Sequence, residues 1–499
     1  LQIAIDATSI AAGRGQEPRA GDPIMPPGRP RAGAGRPRRR RRGPQRGYAL
    51  WLAWLGVVMI GFNTVRIAEY TVSDMIFVAS AGVIVTRLLT GRTRDLAPAD
   101  SRRSSPLVLV GSLMLLTGAT LSSLGAWKPF ESMGVVLRLV WLTLVWFWIL
   151  RSVCVDRQAL NKLLRGWRLT LIITAVAGVL GELGVQALAA TNAEERQTGF
   201  FGHPNELGGL LATGLPLLIL GLPWADGERK GTPLLGRLAL LGLVGFAMAT
   251  TGSISAFMAA IVATGVTMGI LVFGRRERRR VRRSTPLITI AITGVLCVGA
   301  LWLATSDLPL VDRLTRFSEG NSSVNSSVAS RSSLNDFVVG HTDEVLVVGI
   351  GLDKGSLDEA IQNGRSDTAP LTDHASVIHN IHLRVLFESG LPALVGLWIL
   401  IAVGFRQGRK LVSYTREDDE LRPIAIALFS SMMATNVFAL FQPILFHRYY
   451  WLPVALTSGL WALVRSESHQ RQLAEVAERA PKPLPVLPSR DDDLPPIEL

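Results

Sequence analysis

The sequence predicts an all-α polytopic membrane protein of about twelve transmembrane helices with one large extracytoplasmic loop. Three observations carry that prediction. Of 499 residues, 48% are hydrophobic and only 18% charged, against about 25% charged in an average soluble chain, and the mean hydropathy is +0.32. The apolar residues come in runs of about 20, the length a helix needs to cross roughly 30 Å of hydrocarbon. The charged clusters between them are strongly basic in every second gap, which is the pattern of cytoplasmic loops.

Residues 1–47, rich in Pro, Gly and Arg and almost without apolar periodicity, read as a disordered basic cytoplasmic tail lying along anionic lipid. The run that follows is laid out like a signal peptide. It lacks a small-residue cleavage site, however, and is long enough to stay as an anchor. Nine spans fill residues 48–305: Tyr48 to Thr64, Val72 to Leu89, Pro106 to Leu124, Met133 to Val153, Leu169 to Ala190, Asn205 to Trp224, Leu234 to Ala249, Ser253 to Phe273 and Pro286 to Thr305. The large extracytoplasmic loop is 306–380. Residues 381–464 hold the last three spans, Leu391 to Phe405, Pro423 to Gln442 and Tyr450 to Val464, and 465–499 read as a second disordered cytoplasmic tail. Pro216 and the Gly208-Gly209 pair are tolerated inside a span because neighbouring helices can satisfy the freed backbone.

With Arg36 to Arg46 inside, the clusters around Arg92, Arg151, Arg229, Arg275 to Arg283 and Arg406 all fall on the same side. An even number of spans then leaves both termini in the cytoplasm. The formal net charge of +13 is divided into short clusters between apolar runs, so no nucleic-acid partner is expected. Cys154 and Cys297 lie in or beside apolar runs, which leaves neither a disulfide framework nor a thiolate cluster.

The unusual residues collect on the predicted outer face. Within the large loop, the Ser/Asn-rich stretch Asn321 to Ser327 is expected to be mobile, Arg331 to Val339 to form an amphipathic helix, and Leu346 to Gly351 to form an apolar turn. After His379-Asn380, the residues Leu383, Leu386 and Phe387 recur at helical spacing up to Glu388 and Gly390. Of 7 histidines, His203, His341, His374, His379, His382 and His447 map outside and His469 inside. One reading is that loops hold polar residues anyway. The other is a site that needs positive charge and a base near neutral pH. External arginines are scarce, which gives weight to Arg196, Arg331, Arg384 and Arg448, since a guanidinium binds a diphosphate through two bonds and keeps its charge. His374, His379 and His382 with Asp373 have a spacing open to zinc or manganese, but no HExxH or carboxylate cluster accompanies them. No metal and no cofactor are expected, and no phosphate-binding glycine loop is present. Arg138 and Glu182 lie within spans, where they have a partner, line a cavity or snorkel to the interface.

The segment Arg196-Gln-Thr-Gly-Phe-Phe-Gly-His-Pro-Asn205 resembles the Arg-x-x-Gly, then Asn, signature of the O-antigen ligase and polymerase family. His379-Asn380 with Leu383, Glu388 and Gly390 is similar to that family's second block. Thr251, Gly252 and Ser253 fall where the family has a Thr/Ser-x-Ser-Arg stretch, although position 254 is Ile rather than Arg. The likeness extends over about Tyr48 to Val464 and implies a GT-C-like glycosyltransferase fold. It also implies transfer of a glycan from a polyprenyl-diphosphate carrier to an acceptor hydroxyl at the outer face of the cytoplasmic membrane, without metal. Arg196 would then hold the diphosphate and His379 act near the acceptor hydroxyl. Arg331, Arg384 or Arg448 would complete the clamp that Ile254 leaves short. His203, Asn205 and Asn380 are placed with the substrate, though either asparagine serves equally as a helix cap.

The chemistry fits this resemblance. A lipid diphosphate is already an activated leaving group, so a protein must offset its growing charge and take a proton from the incoming hydroxyl. A single in-line displacement inverts the anomeric carbon. The competing expectation from the residues is a polytopic transporter of an anionic solute, although no internal repeat supports it.

Overall fold

A computed structural model of the protein describes residues 47–63, 66–67, 70–93, 95–98, 102, 105–185, 196–221, 234–273, 322–363 and 377–479. Two short strands, β1 (Arg66–Ile67) and β2 (Tyr70–Thr71), pair antiparallel as Arg66↔Thr71 and Ile67↔Tyr70. Among the described residues all other regular structure is helical: α1 (Tyr48–Val58), α2 (Val72–Leu89), α3 (Pro106–Leu124), α4 (Pro129–Val153), α5 (Arg157–Glu182), α6 (Pro204–Ile219), α7 (Leu234–Thr250) and α8 (Ile254–Phe273), followed by α9 (Ser322–Gly340), α10 (Thr342–Val345), α11 (Lys354–Asn363), α12 (Ile381–Tyr414), α13 (Leu421–Ala439) and α14 (Arg448–Arg479). Every predicted span overlaps one of these helices except Pro286 to Thr305, which lies outside the described residues, as does the basic tail to Arg46. Among the described residues, seven helices (α2, α3, α4, α5, α8, α12 and α13) are long and apolar enough to cross a membrane. The protein is therefore a polytopic membrane protein.

Helix starts follow local chemistry. Proline opens α3, α4 and α6, where its missing N–H costs nothing. Asp156 caps α5 by accepting from the Ala159 N–H at 2.7 Å. Most of α4 is regular, but Trp141–Val145 forms a π-turn, a local widening that redirects the following side chains.

The bundle core runs through Leu115, Trp146, Leu171, Leu211, Leu397, Phe438 and Leu460, all fully or almost fully buried. With lipid outside, apolar burial gives little drive between helices, so close packing of small residues holds them together. The α3–α12 contact has this character. A Cβ on Gly396 would meet the Gly111 carbonyl at 2.6 Å, and one on Gly118 would meet the Ser389 carbonyl at 2.7 Å.

The long loop has structure of its own. Leu334, Phe337 and Val338 of α9 pack with Leu357 and Ile361 of α11, Ile378 and Phe387 into a small separate core. Its helix begins at Ser322, so the stretch expected to be mobile is instead helical from Ser322 onward. Once the apolar half of a helix is anchored, adding polar residues to its end is cheap. A second departure is at the other end of the chain. Helix α14 runs on to Arg479, through the first part of the tail read as disordered. Glu467 there pairs with Arg157 at 2.7 Å and Asp418 pairs with the same guanidinium at 2.8 Å, which pins the helix to the bundle.

Candidate functional site

The site is built from three irregular segments that meet at one end of the bundle. The first is 196–203, leading into α6. Gly199 takes φ +54°, a conformation that costs most residues strain, and lets the chain turn between two contacts. On one side the Gln197 N–H donates to the Thr250 carbonyl at 3.2 Å; on the other the Asn63 N–H donates to the Phe200 carbonyl at 3.2 Å. Phe62 and Phe200 stack at 4.7 Å. This docking buries Arg196, 4% exposed. Its Nε donates to the Thr251 carbonyl and its Nη2 to Asn205 Oδ1, both at 2.7 Å. Both of these oxygens help to aim the guanidinium. His203, not Asn205, caps α6: its Nδ1 accepts from the Asn205 N–H at 3.1 Å.

The second segment is 377–380 and the start of α12. Asn380 is the helix cap, its Oδ1 accepting from the His382 N–H at 2.9 Å and the Leu383 N–H at 3.3 Å. The cap fixes the backbone beside His379, whose Nδ1 is buried without a hydrogen-bond partner. Burial, then the charge of Arg331, lowers the His379 imidazole to about 4; the backbone at Val377 opposes this, and His203 and Arg384 add to it. His379 is therefore neutral at ordinary pH and lies within electrostatic reach of His203, Arg331 and Arg384.

One turn on, Arg384 Nε donates to both oxygens of Glu388 at 2.9 Å. Helix α12 breaks immediately after, at Gly390 (φ +77°). The apolar turn 346–351 fills the break. The Ile350 N–H donates to the Phe387 carbonyl and the Gly351 N–H to the Glu388 carbonyl, both at 3.0 Å, while the Leu391 N–H donates to the Leu346 carbonyl at 2.7 Å. Gly349 and Gly351 also have positive φ. The loop core and the membrane helix are thus latched together at Glu388 to Leu391.

The third segment is 442–448, between α13 and α14. Gln442 Nε2 donates to Ser255 Oγ at 3.3 Å, at the head of α8. The Phe446 ring lies under two guanidiniums, Arg138 at 5.5 Å and Arg384 at 5.4 Å, and its carbonyl accepts from Arg138 Nη2 at 3.3 Å. His447 Nε2 is 3.1 Å from Glu206 Oε1, and Asn63 Nδ2 donates to the other oxygen of Glu206 at 2.8 Å.

The residues singled out from the sequence divide accordingly. Arg196 and Asn205 are in contact, His203 caps the same helix, and His379, Arg331 and Arg384 are electrostatically coupled to one another or to His203. Arg448 stands apart from them. It is 3% exposed and forms a two-pronged ion pair with Asp74 through Nε and Nη2, with Trp141 Nε1 donating to the same carboxylate at 3.1 Å. A guanidinium so committed anchors α14 to α2 and offers no fork to a ligand. Glu206, Phe446 and Asn63 are not among the residues singled out from the sequence, whereas His447 is one of its six outer histidines. Glu206 directly follows the Arg196–Asn205 block, which is the signal that points to it; Asn63 and Phe446 carry none. Among the described residues no group of three His, Cys, Asp or Glu side chains could hold a metal ion; Asp373 and His374 lie outside them.

Residues 238–398 match the family model described as O-antigen ligase. The matched stretch takes in the Thr251–Ser253 turn, the latch and the His379–Gly390 block, while the Arg196–Asn205 segment precedes it. No curated protein matches the chain.

Proposed function

We propose, for a chain whose residues 238–398 match the O-antigen ligase family model, that it transfers a glycan from a polyprenyl-diphosphate carrier to an acceptor hydroxyl at the outer face of the cytoplasmic membrane, as a surface-polysaccharide ligase or polymerase. The observation that carries this reading is the buried Arg196, aimed by Asn205 and the Thr251 carbonyl, next to a helix cap, His203, that is electrostatically coupled to the neutral His379.

In this reading the acceptor oxygen attacks the anomeric carbon of the donor sugar. The bond from that carbon to the diphosphate oxygen breaks and the electron pair leaves on the carrier diphosphate. The acceptor proton passes to His379, and the configuration inverts because a single displacement occurs. Arg196 offsets charge on the departing diphosphate, with Arg331 and Arg384 adding positive potential. No metal is required by this scheme, since guanidiniums supply the electrostatic part.

An imidazole held down near 4 is a weak base. Burial is the largest cause of that lowering and persists when donor binds, but a bound diphosphate would offset the share due to Arg331 and Arg384, so His379 regains part of its basicity when donor arrives. Base strength is thereby tied to occupancy of the site.

Both termini are cytoplasmic in this reading and the 306–380 loop faces the acceptor. The test is glycan transfer by the full-length protein in proteoliposomes with a lipid-linked glycan donor. Arg196→Ala and His379→Ala should each abolish product while inserting normally. Full transfer by both variants would contradict the proposal, and uptake of an anionic solute by protein that transfers nothing would replace it with a transporter.

A further inference from the structure

The apolar turn 346–351 carries side chains that neither the loop core nor the bundle covers. Leu346 is 38%, Val347 70% and Val348 42% exposed, whereas Leu334, Phe337 and Val338 of the nearby α9 are buried in the loop core. Three consecutive apolar side chains facing outward mark a contact surface. The depth of the turn says what that surface touches.

That depth follows from packing on two spanning helices. The Leu391 N–H, at the start of the apolar stretch of α12, donates to the Leu346 carbonyl at 2.7 Å, and a Cβ on Gly390 would meet the Val347 carbonyl oxygen at 2.5 Å. One residue back along α12, the Ser389 carbonyl lies against α3, where a Cβ on Gly118 would meet it at 2.7 Å. Gly118 stands six residues before Leu124, the last residue of α3, or roughly 9 Å inside the end of that helix. The turn therefore sits beside α12 at a level below the end of a helix long and apolar enough to cross a membrane. At that end of α3, Leu121 and Leu124 are exposed apolar side chains, and Trp127 is exposed just beyond them, the residue type that marks the edge of the hydrocarbon. The Trp127 N–H donates to Ser356 Oγ at 3.0 Å, which ties this edge to the start of α11. Non-helical backbone is tolerated at membrane depth only where protein covers it. The turn meets that condition, because its backbone faces α12: a Cβ on Gly349 would meet the Glu388 carbonyl carbon at 2.6 Å. The Gly349 N–H donates to the Val345 carbonyl at 2.9 Å, and those of Ile350 and Gly351 donate to α12.

We propose that Leu346, Val347 and Val348 are seated in the bilayer at the end of the bundle that carries the site, with lipid acyl chains as the partner of this face. The proposal needs only the membrane-spanning bundle and not the reaction proposed above. A soluble protein partner would require the turn to project into water, and its bonds to the start of the α12 apolar stretch hold it at the level of hydrocarbon instead. Asp343 and Glu344, exposed in α10 just before the turn, stay at the headgroups, since a carboxylate among acyl chains is costly. The seat is therefore shallow. Because the same turn is bonded to residues on both sides of Gly390, lipid contact helps to hold the loop core of α9 and α11 at the break in α12.

The test is photolabelling of the full-length wild type in phosphatidylethanolamine–phosphatidylglycerol liposomes with a membrane-partitioned aryl diazirine, read by peptide mass spectrometry. Residues 346–348 should carry adducts, as Leu121 and Leu124 do, at a yield several-fold above that of Ser332 and Asp336, which are exposed on α9. No excess over those two residues, in a sample where Leu121 and Leu124 are labelled, would overturn the proposal. A second reading uses a polarity-sensitive fluorophore on Val347→Cys, with Ser332→Cys as the reference, both in a Cys154→Ala/Cys297→Ala background. At Val347 a nitroxide carried on the lipid acyl chain should quench several-fold more strongly than at Ser332, and aqueous iodide several-fold less. Equal quenching by iodide at the two positions would place the turn in water or against a soluble partner, and the proposal would fall.

Discussion

Arg196 donates to Asn205 Oδ1 at 2.7 Å, a contact between two side chains nine positions apart on either side of the turn through Gly199. It links the first and last residues of the segment whose pattern stood out in the sequence, and it makes Asn205 a positioning residue for the guanidinium. Asn205→Ala should lower transfer at least tenfold, the cost of about 1.4 kcal/mol expected for a hydrogen bond to a charged group. Arg196→Lys should not restore activity to Arg196→Ala, because a lysine cannot keep both the Thr251 carbonyl and Asn205. Initial rates in proteoliposomes check both.

The charges around His379 set a pH signature. In the free protein the imidazole stays neutral down to about pH 4, so the acid limb of kcat/KM should lie well below the ordinary histidine value. In the donor complex the diphosphate offsets Arg331 and Arg384, and the acid limb of kcat should lie higher. Stability follows the same shift. The unfolded chain takes up a proton near 6.5 and the folded one near 4, so lowering the pH through that window favours unfolding. His379→Gln should flatten this part of the stability curve. Coincident limbs for kcat and kcat/KM would remove the coupling between donor and base.

Gly390 is required by the latch. Its φ of +77° is strained for any other residue, and a Cβ would meet the Val347 carbonyl oxygen at 2.5 Å. Gly390→Ala should cost roughly 1–3 kcal/mol. Because the 346–351 turn is seated on the break, protease sensitivity in residues 322–363 should rise before the bundle loses helicity. Simultaneous loss of both would show that the loop core and the bundle are one cooperative unit.

Asp74 and Arg448 should behave as a structural pair. Asp74→Ala or Arg448→Ala strands a buried charge, which costs about 3–5 kcal/mol. The double variant Asp74→Leu/Arg448→Met should recover most of the thermal stability and retain transfer. If the stable double variant transfers nothing, Arg448 belongs to the substrate site after all.

Much of the fold was legible because hydrocarbon imposes a length and a composition on each crossing. Even so, the apolar run of α1 ends early in a 3-10 turn, Met59–Gly61, and α12 begins ten residues before its apolar stretch at Leu391. Arg196, Asn205, His379 and Asn380 were visible as motif residues. Which of them caps a helix was not, since Asn205 and Asn380 look alike in sequence and only Asn380 caps one. Arg448 drew attention as a rare outer arginine. Its commitment to Asp74, 374 positions away, is a tertiary contact with no local pattern. The gathering of Arg138 and Arg384 at Phe446 was hidden for the same reason, as three distant segments create it.

The most direct measurement is the mass and gel profile of lipid-linked glycans in cells lacking the chromosomal copy and carrying either wild type or His379→Ala. The proposed function requires the variant to accumulate unreacted donor: single lipid-linked repeat units for a polymerase, or long lipid-linked chains that never reach an acceptor for a ligase. A profile indistinguishable from wild type would contradict it.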